Sequence, residues 1–140
     1  MATIMTTENI CGCGPVELKT TLLPAPERMK VLQNLAAKGD FFAEEEVIRV
    51  LQQDPSDVVR HEAAFILGDW KERCPNETRS RSLEALIRAC RDQSILVRHE
   101  AALSLAAWKC ERAIETLATL CHDSAPEVRG SALHALVEML

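Results

Sequence analysis

Apolar residues recur about every 3.6 positions in two similar stretches of the chain, residues 59–70 and 97–108. This period is typical of a helix with one buried face. Val59 and Val97 open the two stretches, and Trp70 and Trp108 close them. Each stretch therefore predicts a helix, termed a B helix, whose apolar side faces a core.

A second kind of helix, termed an A helix, is predicted before each B helix. The A helices are expected at residues 44–53, 80–91 and 112–122, and a further helix at residues 26–38 opens the series. Gly39 follows the opening helix, and Pro55 and Pro126 lie between A and B helices, where the chain must turn. The pattern predicts helix–turn–helix units joined in series.

The units are copies of one repeat. Each B helix is preceded by an Asp, and a Val-Arg pair follows with the Arg six residues after the Asp; the three pairs are Asp54 and Arg60, Asp92 and Arg98, and Asp123 and Arg129. The valines are 38 and 31 residues apart, and the longer spacing is assigned to a polar B–A loop at residues 71–79. Repeats of this length stack into solenoids. The fold prediction is an all-α α-solenoid of about three and a half repeats over residues 26–140, after a flexible N-terminal arm at residues 1–25.

These motifs resemble a known family. The Asp and Arg spacing, the Val before the Arg and the Ala-Ala after His-Glu look like HEAT repeats of the short, phycobilin-lyase-like subclass. The resemblance implies that the Asp and Arg side chains form a structural ladder between neighbouring repeats. It implies no catalytic residue.

Charge and composition limit the classes of molecule that the chain is expected to bind. The formal net charge is -5 and the basic residues are interspersed with acidic ones, which disfavours nucleic acid. There is no apolar run long enough for a membrane span and no secretory signal near Met1, so a reducing cytoplasm is expected. Cys11 and Cys13 flank a Gly and could bind a soft metal or form a redox pair, but a flexible arm is the favoured interpretation.

Two adjacent His-Glu pairs are the feature that points to chemistry. His61-Glu62 and His99-Glu100 occupy the same position of successive B helices, directly after the ladder Arg. On a helical wheel they lie away from the core face, toward the concave surface that B helices line in a solenoid. Two imidazoles and two carboxylates suit Fe(II), Mn(II) or Zn(II). The alternative is that these are ordinary solvent-facing residues copied by duplication, and the third repeat has Gly130-Ser131 instead.

The paired motifs also resemble deoxyhypusine hydroxylase, a non-haem di-iron monooxygenase built from HEAT repeats. That family uses four such pairs, two in each half of the protein, so this chain resembles one half. The resemblance implies iron bound by His61, Glu62, His99 and Glu100. A two-fold homodimer could bring the second set, because a symmetric interface duplicates every residue.

Three functions stay open at this point. The first is a protein-binding module that uses residues on the concave surface, namely Phe65, Leu103 and His134. The second is the iron-dependent oxygenase, and whether the chain is an enzyme depends on it. The third is a role in bilin attachment, which only the repeat type favours.

Overall fold

The computed structural model describes residues 22–140, and all regular secondary structure in this part of the chain is helical. The seven helices of this part are α1 (Ala25–Lys38), α2 (Phe41–Gln53), α3 (Asp57–Arg73), α4 (Ser80–Ala89), α5 (Ile95–Leu105), α6 (Glu111–Leu120) and α7 (Pro126–Met139). The all-α prediction is confirmed.

The helices form two layers. The A helices α2, α4 and α6 each pack against the B helix that follows, α3, α5 and α7 respectively, and each layer is continuous from one repeat to the next. Helix α1 packs on both α2 and α3, which is the place of a B helix before the first complete pair. This arrangement is a solenoid in which each repeat contacts its neighbours.

Leucine, valine and alanine side chains build most of the core between the layers. The Val before each ladder Arg is almost fully buried, with exposures of 1% for Val59 and 0% for Val97 and Val128. Between the B helices the packing is tighter. A Cβ built on Gly68 of α3 would lie 2.6 Å from the Cβ of Ser104 in α5. Glycine is required there because the two helices approach too closely for a side chain.

The ladder Asp residues each start a B helix in the same way. A carboxylate oxygen of Asp54, Asp92 and Asp123 accepts a hydrogen bond from the backbone N–H two residues later, which holds the turn between A and B helices. The Arg six residues after each Asp donates to the carbonyl oxygen of that Asp. Each Asp-Arg pair therefore stabilises its own turn as well as linking repeats.

The links between repeats run from each Arg to the next Asp. Arg60 Nε lies 3.0 Å from Asp92 Oδ2, and Arg98 Nε lies 3.0 Å from Asp123 Oδ2. Hydrogen bonding by Arg98 also lowers the pKa of Asp123. The structure adds one member that the repeat pattern did not predict: Arg28 of α1 pairs with Asp54 at 2.7 Å, and both side chains are at most 9% exposed.

Several predicted boundaries differ from the structure; α2, for example, begins at Phe41, three residues before its predicted start. Helix α3 continues to Arg73, because the buried Lys71 ammonium donates to Pro75 O and Glu77 O and so closes the following loop. The polar loop is therefore 74–79, not 71–79. Helix α5 ends at Leu105, three residues before Trp108, and a tight turn with left-handed backbone at Lys109 leads into α6.

Other predictions fall partly or wholly on residues 1–21. Cys11, Cys13 and most of the predicted arm lie outside the described residues. Within residues 22–140, Cys74, Cys90, Cys110 and Cys121 are free thiols. In the same part, no helix has the length and apolar character needed to cross a membrane.

Candidate functional site

The outer side of the B layer carries a groove of about 340 Å³ that crosses α3, α5 and α7. It is lined by Phe65, Gly68, Asp69 and Glu72 of α3, Glu100, Leu103 and Ser104 of α5, and His134, Ala135 and Glu138 of α7. We term this surface the B-layer groove. The three residues predicted for the concave surface, Phe65, Leu103 and His134, all line it.

Most of the charged side chains in the B-layer groove are acidic. Four of its lining residues carry carboxylates and one carries an imidazole. Asp69 pairs with Arg73, and Glu138 pairs with His134 at 2.9 Å. Within residues 22–140, Glu72 is exposed and has no cationic partner. Phe65, which is 48% exposed, gives the groove an apolar wall.

His61 and Glu100 meet at the edge of the groove. His61 Nε2 of α3 lies 3.1 Å from Glu100 Oε2 of α5, with side-chain exposures of 28% and 12%. Burial raises the pKa of Glu100, while the nearby imidazoles of His61 and His99 act in the opposite direction. The carboxylate is therefore held in a partly dry setting by a partner from the preceding repeat.

His99 makes the equivalent contact one repeat later. Its Nδ1 is in hydrogen-bond contact with Ser131 Oγ of α7. The Ser131 hydroxyl donates at 2.9 Å to Glu127 O, so its oxygen is left to accept from the Nδ1–H of His99. In that arrangement His99 is the Nδ1–H tautomer and its lone pair is on Nε2.

In both repeats the His therefore contacts the same position of the next B helix. The His directly after a ladder Arg contacts the residue two positions after the next ladder Arg, which is Glu100 in one case and Ser131 in the other. Adjacent positions on a helix point about 100° apart, so the two members of each His-Glu pair diverge. In residues 22–140, no three His, Cys, Asp or Glu side chains are grouped to hold a metal ion. Of the four predicted ligands, the structure brings His61 and Glu100 into contact. His99 contacts Ser131 instead, and Glu62 is half-buried.

The pair that does meet has the chemistry and spacing of two metal ligands. Two donor atoms at about 2.1 Å from one ion, at roughly right angles, lie about 3 Å apart. The His61–Glu100 distance of 3.1 Å is close to this value and is also that of an ordinary hydrogen bond between the two side chains. His99 supplies the second feature, because a ligating imidazole normally has its other nitrogen held by a hydrogen bond. The donor types present fit a divalent transition metal.

Comparison with known protein families matches residues 44–138 to HEAT repeats. The chain belongs to the HEAT-repeat family. The Asp–Arg contacts, the buried valines and the two helix layers described above are the structural form of these HEAT repeats in this chain. No curated protein sequence matches it significantly.

Among solved structures, the chain is similar to human deoxyhypusine hydroxylase in complex with glycerol. The TM-score is 0.71 and the sequence identity is 25% over 84% of this chain. The chain spans 38% of the length of that structure.

Two features of the site were not predicted from the sequence. Ser131 was regarded as a departure from the His-Glu pattern, yet it occupies the Glu position and contacts the preceding His. Three of the acidic groove residues, Asp69, Glu72 and Glu138, belong to no motif. Their spacing along α3 and α7 relative to Phe65 and His134 was the signal that placed them on one helix face.

Proposed function

We propose that this HEAT-repeat chain is a protein-binding module whose B-layer groove takes a cationic segment of a partner protein. The observation that supports it most is the combination of four carboxylates with an exposed aromatic wall in one groove. The methylene stem of a Lys or Arg would lie on Phe65 and Leu103. Its charged end would reach Glu72, and Phe65 could add a cation–π contact.

The electrostatics of the whole chain agree with this partner. A net charge of -5 attracts basic segments at long range. Arg73, a cation beside the groove, is engaged by Asp69. HEAT arrays commonly bind other proteins through an extended surface of this kind.

Fluorescence anisotropy with a labelled octalysine peptide tests the proposal, with an octaglutamate peptide as the negative probe. The variant Glu72→Gln/Glu138→Gln should weaken octalysine binding about tenfold, since two charge contacts of roughly 0.5–1 kcal/mol each are lost. The matched control is Glu111→Gln/Glu115→Gln on α6, which changes the net charge equally on an exposed A helix. Equal losses in the two variants, or no binding by the wild type at about 1 mM peptide, would exclude the groove.

A second candidate function follows from the contact between His61 and Glu100. The likeness to deoxyhypusine hydroxylase and the 3.1 Å ligand spacing favour a metal-dependent oxidoreductase. His61 and Glu100 would supply two ligands to iron, the further ligands would have to come from outside this pair, and the bound iron would supply dioxygen activation. Burial of Glu100 would limit water around the pair. A second copy of the chain would have to provide the other half of the site.

Metal analysis of protein purified without a His tag and loaded with Fe(II) tests this candidate. The wild type should retain close to one equivalent per chain, His61→Ala should lose it, and the Glu62→Ala variant reports whether that carboxylate contributes. The matched control is His122→Ala, an exposed His after α6. Iron below about a tenth of an equivalent in the wild type would eliminate the candidate. The bilin-attachment alternative has only the repeat type in its favour.

A further inference from the structure

Three of the four carboxylates in the B-layer groove already have a partner within this chain. The pairs are Asp69 with Arg73, Glu100 with His61, and Glu138 with His134. Each partner is a side chain that is positively charged or becomes so on protonation, and it contacts the oxygen atoms that a Lys or Arg of a bound segment would need. A cationic segment therefore competes with these partners for the carboxylates of the groove.

The partners on α3 and α7 differ in when they carry charge. An arginine side chain is always charged in proteins, so Asp69 is paired with the cation of Arg73 at every pH. Histidine is the residue type that changes its charge between about pH 5 and pH 8. His134 therefore neutralises Glu138 on the acidic side of this range, whereas the neutral imidazole leaves the negative charge of Glu138 to the groove.

The geometry allows His134 to act without a change of fold. His134 and Glu138 are one turn apart on α7, and His134 Nε2 lies 2.9 Å from Glu138 Oε2. Their side chains are 63% and 57% exposed, so both the proton and a cationic side chain reach the pair from solvent. Both residues line the groove together with Phe65, the apolar wall on which the stem of a partner Lys would lie.

Other charged and titratable groups surround His134. The carboxylates that line the same groove from other helices are Asp69 and Glu72 of α3 and Glu100 of α5. His99 of α5 contacts α7 at Ser131, three residues before His134. In the described part of the chain, no charged residue of α6, the other helix packed on α7, lines the groove. Burial raises the pKa of Glu100, so this carboxylate also loses charge as the pH falls.

We propose that His134 makes cation binding by the B-layer groove pH-dependent. The imidazolium pairs with Glu138 and opposes a partner cation, and the neutral imidazole gives way to it. The groove would then bind its partner at neutral pH and release it on acidification. The inference rests on the proposed function, because it concerns the same groove and the same class of partner.

Fluorescence anisotropy with labelled octalysine at about pH 7.5 and about pH 5.5, at one ionic strength, tests the inference. The lysines of the peptide are charged at both values. The wild type should bind about two- to fivefold more weakly at the lower pH, which is the effect of one exposed charge contact. His134→Gln cannot become charged and should reduce this ratio, whereas His134→Lys is charged throughout and should bind weakly at both pH values.

Arg73→Gln is the matched control, because it removes a partner that does not titrate in this range. It should strengthen octalysine binding at both pH values and leave their ratio unchanged. Glu138→Gln separates the contribution of this pair from that of Glu100. In the Glu138→Gln background, His134→Gln should no longer change the ratio, because the effect of His134 acts through Glu138.

Two results would overturn the inference and leave the groove proposal intact: equal binding by the wild type at the two pH values, or a ratio that His134→Gln does not change. The absence of octalysine binding by the wild type at about pH 7.5 and about 1 mM peptide would refute both proposals.

Discussion

Substituting Gly68 by Ala tests the close packing of the B helices. The new Cβ would lie 2.6 Å from Ser104 Cβ, 2.7 Å from Ser104 Oγ and 3.0 Å from Ser104 Cα. Because a backbone atom is among these contacts, rotating the Ser104 side chain does not relieve them, and overpacking of this kind costs about 1–3 kcal/mol. Displacing the hydroxyl also breaks its bond to Ala64 O, for about 1 kcal/mol.

One effect acts in the opposite direction. Ala is favoured over Gly inside a helix by about 1 kcal/mol. The sum predicts that Gly68→Ala lowers the free energy of unfolding by about 1–3 kcal/mol. Urea unfolding followed by Trp fluorescence measures this change, and an unaltered m-value would show that the two states compared are the same.

Gly130→Ala is the matched control, because a Cβ there meets no atom within 4 Å. Only the helix preference remains, so this variant should be more stable by about 0.5–1 kcal/mol. If Gly68→Ala were as stable as Gly130→Ala, the close approach of α3 and α5 would be refuted.

Three further predictions concern the ladder, Glu100 and Cys90. Arg98→Ala leaves Asp123 partly buried without its partner and should cost about 3 kcal/mol in urea unfolding, against less than about 1 kcal/mol for the exposed Arg129→Ala; equal costs would contradict the ladder. Burial raises the pKa of Glu100 above its ordinary 4.5, so the folded state favours the protonated carboxyl. Glu100 therefore stabilises the folded state below pH 4.5, and this contribution is lost as the pH rises through the folded-state pKa. Glu100→Gln should therefore raise the unfolding free energy at pH 7 and have little effect near pH 4, and a loss of stability at pH 7 would reverse this reasoning. Burial raises the pKa of Cys90 to about 12, so native alkylation at pH 8 read by mass spectrometry should label exposed Cys74 at least about a hundredfold faster, and comparable rates would show that Cys90 is accessible.

Much of the fold could be predicted because residues close together in the sequence define each repeat. The Asp that holds each A–B turn and the Arg that links repeats are six residues apart, so one short pattern identifies both the turn and the interface. Arg28 was missed for the same reason: position 22 holds Leu, so no Asp precedes it at that spacing. Its role depends on Asp54, 26 residues away in the sequence.

Two features depend on tertiary packing: the residue at which α5 ends, and the residues that the His-Glu pairs contact. Trp70 and Trp108 are equivalent in the sequence, but Trp70 Nε1 donates to Ala36 O inside the helical stack, whereas Trp108 lies beyond the end of its helix. The short return to α6 requires that early end. Periodicity indicates which face carries His61 and Glu62, but the partner of each is set by the stagger of the next B helix, which no local pattern contains.

The central claim is that successive B helices build one acidic groove that receives a cationic partner segment. The most direct measurement is a titration of the ¹⁵N-labelled chain with octalysine, followed amide by amide in NMR spectra. Salt-sensitive shifts are expected around Phe65 to Glu72, Glu100 to Ser104 and His134 to Glu138. Shifts centred on the A helices α2, α4 and α6, or none at millimolar peptide, would contradict it.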